Sequence, residues 1–489
     1  MADQQTHPGA PAPPENGMRS FVHVLVNTAF ANITTSYLWF GLTFWIYLET
    51  ENVIATGVIG GAYMLFIALF SMFFGTLVDR FRKKAVMAWA TLAAFVVFCL
   101  DAVFYFLLGE ERMVDLTRPW FWIFAVVMLA GAVVEQLRNI ALSTTVTLLV
   151  PVEKHANANG LVGTVQGLAF LVTSVFSGLS IGFLGMGGTI LIALVAIALS
   201  LVHLLAIRIP EREIVHAEGQ PRWVDVAGGV RAVRLVPGLL TLILFTTLNN
   251  LVGGVYMALM DPYGLEMFSV EMWGVWLAVT STGFIVGGMV IAKVGLGRNP
   301  IRTMLLIAAF IGLVGAVFAL REWAWLYIAG MWVYMCFVPA VEAAEQTVIQ
   351  KVTPYEKQGR VFGFAMTFEA ASAPITSFLI APIAQLWVIP YMRSEDGQRR
   401  WSWLLGQGDA RGIGLVFLVA GIVAVALALS GFLLPAYRML SKQFMTDGQG
   451  AAASEPASSE PAARDGLVSP VEARAGFDEP APPHHSPER

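Results

Sequence analysis

Charged residues are scarce in this sequence. Asp, Glu, Lys and Arg make up only 13% of the chain, whereas a soluble globular domain carries about a quarter. Hydrophobic residues make up 57%, which is more than one soluble core of this length buries. The excess apolar surface must therefore face lipid, and the composition predicts an integral membrane protein.

Several chemical signatures are also missing. The two cysteines, Cys99 and Cys336, lie inside apolar runs, so we expect neither a disulfide nor a metal site. No glycine-rich phosphate-binding loop with a lysine occurs, which argues against ATP hydrolysis. We therefore expect no enzyme activity, no cofactor, no metal and no nucleic-acid partner. The first residues lack the basic start and short apolar core of a signal peptide, so we expect none.

Long apolar runs predict transmembrane helices, because about 18 or more such residues are needed to cross a bilayer. Barrel strands would be about 10 residues long and would alternate. The runs instead predict twelve helical spans, at residues 21–48, 54–78, 85–109, 119–150, 156–184, 187–208, 235–260, 271–296, 302–320, 323–351, 360–391 and 412–436.

Lysine and arginine are distributed unevenly over the links between these spans. If the N-terminus lies inside, most of them fall on the cytoplasmic side, as the positive-inside rule requires. We therefore expect a multi-pass protein of the inner (plasma) membrane, with both termini cytoplasmic. We also expect it to act as a monomer in the lipid bilayer.

The longest internal link follows the sixth span and divides the chain into two sets of six. The segments "VPVEK" (150–154) and "TPYEK" (353–357) close the fourth and tenth spans, which suggests an internal repeat. The predicted segments are a disordered N-terminus (1–18), a six-helix bundle (19–208), a cytoplasmic linker (209–233), a second six-helix bundle (234–440) and a disordered cytoplasmic tail (441–489).

Five charges are concentrated in "GTLVDRFRKKAVM" (75–87), between the second and third spans. A glycine, an Asp-Arg pair and a basic pair at this place in a twelve-span chain resemble the loop signature of the major facilitator superfamily. The second glycine of that signature is replaced by Arg82, and Ala292 stands at the acidic position of the second-half copy. The matching residues are Gly75, Asp79, Arg80, Lys83 and Lys84.

The resemblance implies an all-α integral membrane protein with twelve helices in two pseudo-symmetric halves of six. In that family the loop braces the cytoplasmic gate. Asp79 is then expected to cap or pair with a helix end of the opposite half, and the basic residues to contact anionic headgroups. The alternative is a cluster that only sets topology. The ends of spans four and ten resemble the branch of macrolide and multidrug efflux proteins and siderophore exporters.

Acidic residues inside the spans are candidates for proton coupling, because a charge at membrane depth is costly and usually functional. Two carboxyl groups that share a helix face at low dielectric do not both ionise easily. Hydrogen bonding to neighbouring polar groups without titration is the alternative. The candidates are Glu342, Glu345, Glu135 and Glu369.

Glu135 and Arg138 are three residues apart and share a helix face. They predict either a cavity pair that is exchanged during transport or a static ion pair. Neutral polar and aromatic side chains on the spans are candidates for lining a cavity, with helix packing as the alternative. With Arg138, the cavity and substrate candidates are Asn27, Asn32, Gln166, Asn249, Asn250 and Tyr334.

Together these features predict a secondary transporter that exports amphipathic small molecules or drugs by alternating access, coupled to protons. One alternative is an exporter or importer of a defined metabolite such as a siderophore. Another is a non-transporting membrane receptor or scaffold, in which the intramembrane acids would be dispensable.

Overall fold

A computed structural model describes residues 16–50, 53–115, 117–211, 226–408 and 410–452. Every regular element in these ranges is helical. Short turns, Val152–Lys154 and Tyr355–Lys357, precede α6 and α12, and a π-helical turn, Ala384–Val388, follows α12. The helices are α1 (Gly17–Thr50), α2 (Val53–Arg80), α3 (Lys83–Leu108), α4 (Glu110–Met113), α5 (Pro119–Leu149), α6 (His155–Ala206), α7 (Val226–Leu235), α8 (Leu239–Met267), α9 (Val270–Val294), α10 (Pro300–Val317), α11 (Ala324–Val352), α12 (Gln358–Ile383), α13 (Ile389–Arg393), α14 (Glu395–Leu405), α15 (Arg411–Leu433) and α16 (Pro435–Ala452).

The twelve predicted spans correspond to these helices. Ten helical segments of the described residues are long and apolar enough to cross a membrane. One of them contains α6, which is interrupted at Gly185, where φ is +66°. Only glycine adopts this conformation at little cost, so α6 forms two arms at the predicted link between spans five and six. The 34-residue α1 supplies the remaining span, and its polar residues lower its hydropathy.

Local sequence signals set several helix ends. Pro119 and Pro300 occupy the first turns of α5 and α10, where a missing N–H leaves no bond unmade. Asn299 and Ser269 cap α10 and α9 by accepting hydrogen bonds from backbone N–H groups. Proline and short polar residues therefore mark helix boundaries that hydropathy alone leaves uncertain.

Two pairs of helices form most of the contact between the two halves. α2 packs against α12, and the first arm of α6 packs against α9. A Cβ on Gly160 would lie 2.5 Å from the backbone nitrogen of Ala292, and one on Gly167 would lie 2.5 Å from Phe284 Cβ. These glycines permit the close approach of the first arm of α6 to α9.

The apolar core is shared between the halves at one end of the molecule only. We call this end, which contains the turns before α3, α6 and α12, the basic end. One cluster there combines residues of both halves, such as Val78 and Val361. At the opposite, far end, one cluster lies within the N-terminal half around Trp45 and a separate one within the C-terminal half around Tyr327. The halves are thus joined at the basic end and have separate cores at the far end.

Two elements differ from the predicted linker and tail. α7 begins in predicted linker 209–233 and ends two residues after it, with Ala232 and Val233 buried. α16 continues through residues that were predicted to be disordered, and the compact unit extends to Asp447. Both helices are short and only partly apolar, so the search for membrane-length runs did not detect them. The rest of the predicted disordered segments (1–15 and 453–489) and linker residues 212–225 lie outside the described residues.

Candidate functional site

The loop motif between α2 and α3 makes a direct contact with the opposite half. Asp79 Oδ1 accepts a hydrogen bond from the backbone N–H of Gly359 at 2.6 Å. Its Oδ2 accepts from the backbone N–H and the Nε of Arg360, both at 3.0 Å. Gly359 and Arg360 lie in the first turn of α12, where N–H groups have no partner within the helix. The carboxylate therefore caps α12 and forms an ion pair across the two halves.

Gly75 brings the two backbones close enough for this contact. A Cβ at Gly75 would collide with the carbonyl group of Gly359. Gly363, one turn further along α12, is equally close, because its Cβ would lie 3.0 Å from the Gly75 Cα. The motif glycine is thus a crossing point of α2 and α12, and its role is close packing between the halves.

The basic pair of the loop makes hydrogen bonds within the protein. Lys83 is 3% exposed, and its Nζ donates to the Val78 carbonyl at 2.6 Å and lies over the Tyr355 ring. Lys84 Nζ donates to the carbonyls of Leu205 and Ile207 at the end of α6. Both ammonium groups therefore bind acceptors of the protein. Burial rules out the expected headgroup contact for Lys83, whereas for the half-buried Lys84 it stays a prediction.

The glycine missing from the loop signature is not required here. Arg82 precedes α3 with φ −58° and ψ 131°, a conformation open to any residue. The first two N–H groups of α3 donate to the carboxylate of Glu211, at 2.5 and 2.7 Å. Arg80, the last residue of α2, is half-buried.

A second set of hydrogen bonds joins the halves near the start of α6. Asn159 Nδ2 donates to Thr347 Oγ1 and to Gln350 Oε1 of α11, both at 2.9 Å. Gln350 Nε2 in turn donates to the Ser143 carbonyl of α5 at 2.9 Å. Asn159, Thr347 and Gln350 are each at most 3% exposed, so this network is shielded from water. Sequence analysis missed Asn159, because a single asparagine at a helix start is no signal of a cross-half contact.

The pseudo-symmetric counterpart of the Asp79 contact uses different chemistry. Ala292 aligns with Asp79, and its carbonyl accepts from Asn157 Nδ2 at 2.9 Å. The polar side chain thus comes from α6, and the backbone group from α9. Replacement of the acid by Ala292 therefore removes a charge but keeps a hydrogen bond between the halves. The structure is closed at the basic end by all three contacts.

Three of the four predicted proton-coupling acids come together in the C-terminal half. Glu345 of α11 and Glu369 of α12 lie within hydrogen-bonding reach of one another, and Glu342 is close enough to interact with both. Thr246 of α8 donates its hydroxyl to Glu345 Oε1 at 2.8 Å. The structure therefore joins three carboxyl groups from two helices, although Glu369 is far from the pair in the sequence.

The members of this acid cluster differ in exposure. Glu345 is 7% exposed and Glu369 is half-buried. Glu342 is exposed, although residues 339–341 and 343–345 of the same helix are all buried. One carboxyl group therefore faces open space while its neighbour is enclosed. Two carboxyl groups this close at low dielectric do not both ionise easily, so the pair can hold a proton.

The other cavity candidates of the C-terminal half lie outward of this cluster along α8. Asn250, one turn beyond Thr246, is exposed, and Asn249 is half-buried. The Tyr334 hydroxyl lies 4.0 Å from the position of a Cβ on Gly253, one turn beyond Asn250. Asn250, Gly253 and Tyr334 thus continue one surface from the acid cluster.

In the N-terminal half, a chain of hydrogen bonds connects three helices. Asn32 Nδ2 donates to Asn139 Oδ1 at 2.8 Å, and Asn139 Nδ2 donates to Gln136 Oε1 at 2.7 Å. Gln136 Nε2 donates to the Tyr63 hydroxyl at 3.0 Å. All four side chains are part-buried, whereas Gln166, also a cavity candidate, is exposed. Sequence analysis named Asn32 but missed its partners, which are ordinary polar residues in apolar runs.

Glu135 and Arg138 lie inside the N-terminal bundle. Arg138 is fully buried, and its Nε lies 3.5 Å from Glu135 Oε1. Its terminal nitrogens donate to Thr91 of α3 and to Asn27 of α1. Asn27 is fully buried as well. This corrects the placement of Asn27 and Arg138 on a cavity wall and favours the static alternative for the pair, because every partner belongs to the same half.

Helix number, the division into halves and the paired contacts at the basic end define a polytopic membrane transporter fold. The profile of the Major Facilitator Superfamily matches residues 24–377. The chain therefore belongs to this superfamily. No curated protein sequence matches it.

Solved structures share the fold at low sequence identity. The fucose:proton symporter of E. coli matches with a TM-score of 0.62 and 12% identity, over 85% of this chain and 99% of that one. A bacterial homologue of the iron transporter ferroportin in an outward-facing state gives 0.61 and 14%, over 85% and 100%. The human organic anion transporter MFSD10 gives 0.57 and 14%, over 85% and 100%. These similarities extend over nearly the whole length of each neighbour.

Proposed function

We propose that the protein is a proton-coupled secondary transporter that exports amphipathic small molecules by alternating access. The observation that carries the proposal is the cluster of Glu342, Glu345 and Glu369 against Thr246. Intramembrane acids are costly, and three of them on two helices are unnecessary for packing. Membership of the superfamily, and a neighbour of the same fold that is a proton:sugar symporter, support protons as the coupling ion.

In this proposal, the Glu345–Glu369 pair holds the coupling proton. Glu345 is enclosed and bound to α8 through Thr246, whereas Glu342 is exposed. A proton reaches the pair through Glu342 when the far end is open. Loss of that proton leaves two adjacent negative charges at low dielectric, which repel. The repulsion separates α11 from α12 and favours the alternative conformation.

The exposed surface beside the acids favours amphipathic cations as substrates. Glu342 offers a negative charge, and Asn250 of α8 offers hydrogen bonds. Met257, two turns further along α8, is an exposed, adaptable apolar side chain. A cation that binds near Glu342 competes with the proton for the same negative charge. Exchange of one for the other is the basis of antiport.

We propose that the basic end is cytoplasmic and that the protein lies in the inner membrane with both termini inside. The protein then acts as a monomer, and its six-helix bundles, 19–208 and 234–440, move against each other. Asp79 and Gly75 form the cytoplasmic gate, which is closed in the present conformation. Separate apolar cores at the far end suit an opening on the opposite side.

The proposal is tested in proteoliposomes with an imposed pH gradient and a fluorescent cationic amphiphile. Wild type is expected to move the amphiphile in the direction opposite to the proton flux. The variants Glu345→Gln and Glu369→Gln are expected to abolish this gradient-driven movement. Glu266→Gln is the matched control, because Glu266 is exposed near the end of α8, away from the cluster.

Two outcomes would contradict the proposal. Unchanged movement in both cluster variants would place coupling elsewhere. No movement by wild type would favour transport of a defined metabolite, tested next by counterflow of siderophores, or the scaffold alternative, in which neutral acid variants remain functional.

A further inference from the structure

A group of basic residues lies on the outer surface of the N-terminal half, away from the acid cluster. His23 of α1 and His203 of α6 are both exposed, and their rings meet edge to face with centroids 6.5 Å apart. Arg19 lies one turn before His23, and Arg208 follows the end of α6; both are exposed. We call these four residues the α1–α6 cationic seam.

Two contacts show that α1 and the second arm of α6 run antiparallel, and they establish which residues of the two helices lie side by side. Asn27 Nδ2 donates to the Ser200 carbonyl at 2.8 Å, and His23 meets His203 one turn closer to the basic end. The next turn of this pairing brings Arg19 opposite the residues that follow Ala206. The two arginines therefore flank the two histidines at the basic end of the seam.

Exposed apolar side chains on both helices adjoin the seam. They are Val22, Val26, Leu199, Val202 and Leu205, with exposures between 40% and 66%. In a membrane protein such side chains are covered by acyl chains. His203 is three residues from the end of α6, or about 5 Å along the axis at 1.5 Å per residue. The cations therefore lie where acyl chains end and headgroups begin.

The buried polar cluster fixes the proton of His203. Arginine donates only, so Asn27 Oδ1, which accepts from Arg138, must be the oxygen of the amide. Asn27 Nδ2 then donates to the Ser200 carbonyl and approaches His203 Nδ1 at 3.1 Å. An amide N–H in this position makes Nδ1 an acceptor. The imidazole proton therefore lies on Nε2, at the other edge of the exposed ring.

We propose that the α1–α6 cationic seam binds the phosphate of an anionic phospholipid. Arg19 and Arg208 supply fixed positive charge, and His203 supplies a directed Nε2–H donor whose orientation is set by Asn27. The apolar side chains beside the seam receive the acyl chains. Glu211, the acid that follows Arg208, is occupied by the N–H groups of Lys83 and Lys84.

The test uses the purified full-length protein in detergent, titrated with phosphatidylglycerol, phosphatidylcholine or inorganic phosphate. Lipid adducts are counted by native mass spectrometry, and the melting temperature is followed in parallel. Phosphatidylglycerol is expected to bind and to raise the melting temperature of wild type, while the other two have little effect. Arg19→Gln with Arg208→Gln is expected to weaken phosphatidylglycerol binding about tenfold or more, since each cation near a headgroup contributes separately.

Two further variants make the result specific. Arg298→Gln is the matched control, because Arg298 is an exposed arginine at the basic end of the other half; it is expected to bind like wild type. His203→Phe keeps an aromatic ring beside His23 but removes the Nε2 donor, and is expected to weaken binding. Equal binding by the double variant and wild type would overturn the proposal. Equal stabilisation by inorganic phosphate would also overturn it, because the site would then bind free anions.

Discussion

Asp79 and Gly359 are 280 residues apart in the sequence, yet the Asp79 carboxylate accepts the backbone N–H of Gly359 at 2.6 Å. The bond is formed only when α2 and α12 are in contact at the basic end. It therefore stabilises one conformation and not the other. Its removal must change the balance between the two, and this provides the most direct test of the gate.

Asp79→Asn is expected to open the basic end. The variant loses the negative charge that binds the first turn of α12 and Arg360, and hydrogen bonds to charged groups contribute about 1.5–3 kcal/mol. A change of 1.4 kcal/mol shifts a two-state equilibrium about tenfold. Distances between spin labels on α3 and α10 at the basic end measure the shift. Asp115→Asn, on the exposed loop before α5, serves as the control and should leave the distances unchanged.

Gly75→Ala is expected to open the same end for a steric reason. The added methyl group meets the backbone of Gly359, which cannot move away as a flexible side chain would. Accessibility of a cysteine placed at Val348, which is fully buried in the apolar cluster shared by both halves, to a water-soluble maleimide should increase severalfold. Gly178→Ala, at a helical glycine with no neighbour within 4 Å, should behave like wild type. Equal labelling of both variants would show that the contact between α2 and α12 accommodates the added methyl group.

Thr246→Val is expected to impair proton coupling without removing an acid. Valine keeps the shape of threonine but cannot donate to Glu345, and leaving a buried acceptor without its donor costs about 1–3 kcal/mol. Gradient-driven transport should fall about tenfold, while substrate counterflow without a gradient stays near the wild-type rate. Thr247→Val is the matched control, because the Thr247 hydroxyl donates to the Ile243 carbonyl of its own helix. Equal losses in both variants would indicate a general packing defect.

Arg138→Met is expected to destabilise the fold. Removal of the guanidinium leaves Glu135 and Asn27 buried without their partner, and breaking a buried pair typically costs about 3–5 kcal/mol. The melting temperature of the detergent-solubilised protein should fall by several degrees. Arg112→Met, at an exposed site, should not lower it. A variant with wild-type stability but no transport would instead return Arg138 to the substrate site.

Apolar run length determined most of the architecture, because a bilayer sets a minimum length for every crossing helix. It located the break at Gly185 between two spans. The contact of Asp79 across the halves was expected from the resemblance of its loop to the signature of the superfamily. Run length did not detect α7 or α16, which pack on protein over short stretches. Their burial depends on neighbours, and hydropathy measures the residue alone.

The same distinction between sequence and tertiary structure applies to the functional residues. The sequence by itself identified Glu342, Glu345 and Glu369 as acids at membrane depth, because a charged residue inside an apolar run can be recognised from the order of residues alone. Only the tertiary structure joined Glu369 to the other two, added Thr246, and placed Arg138 inside a bundle. Which side chains of two helices meet depends on which helices are adjacent and on how each is rotated about its axis. Neither property is encoded in the length or polarity of a single run, so the fold alone decided which polar groups meet.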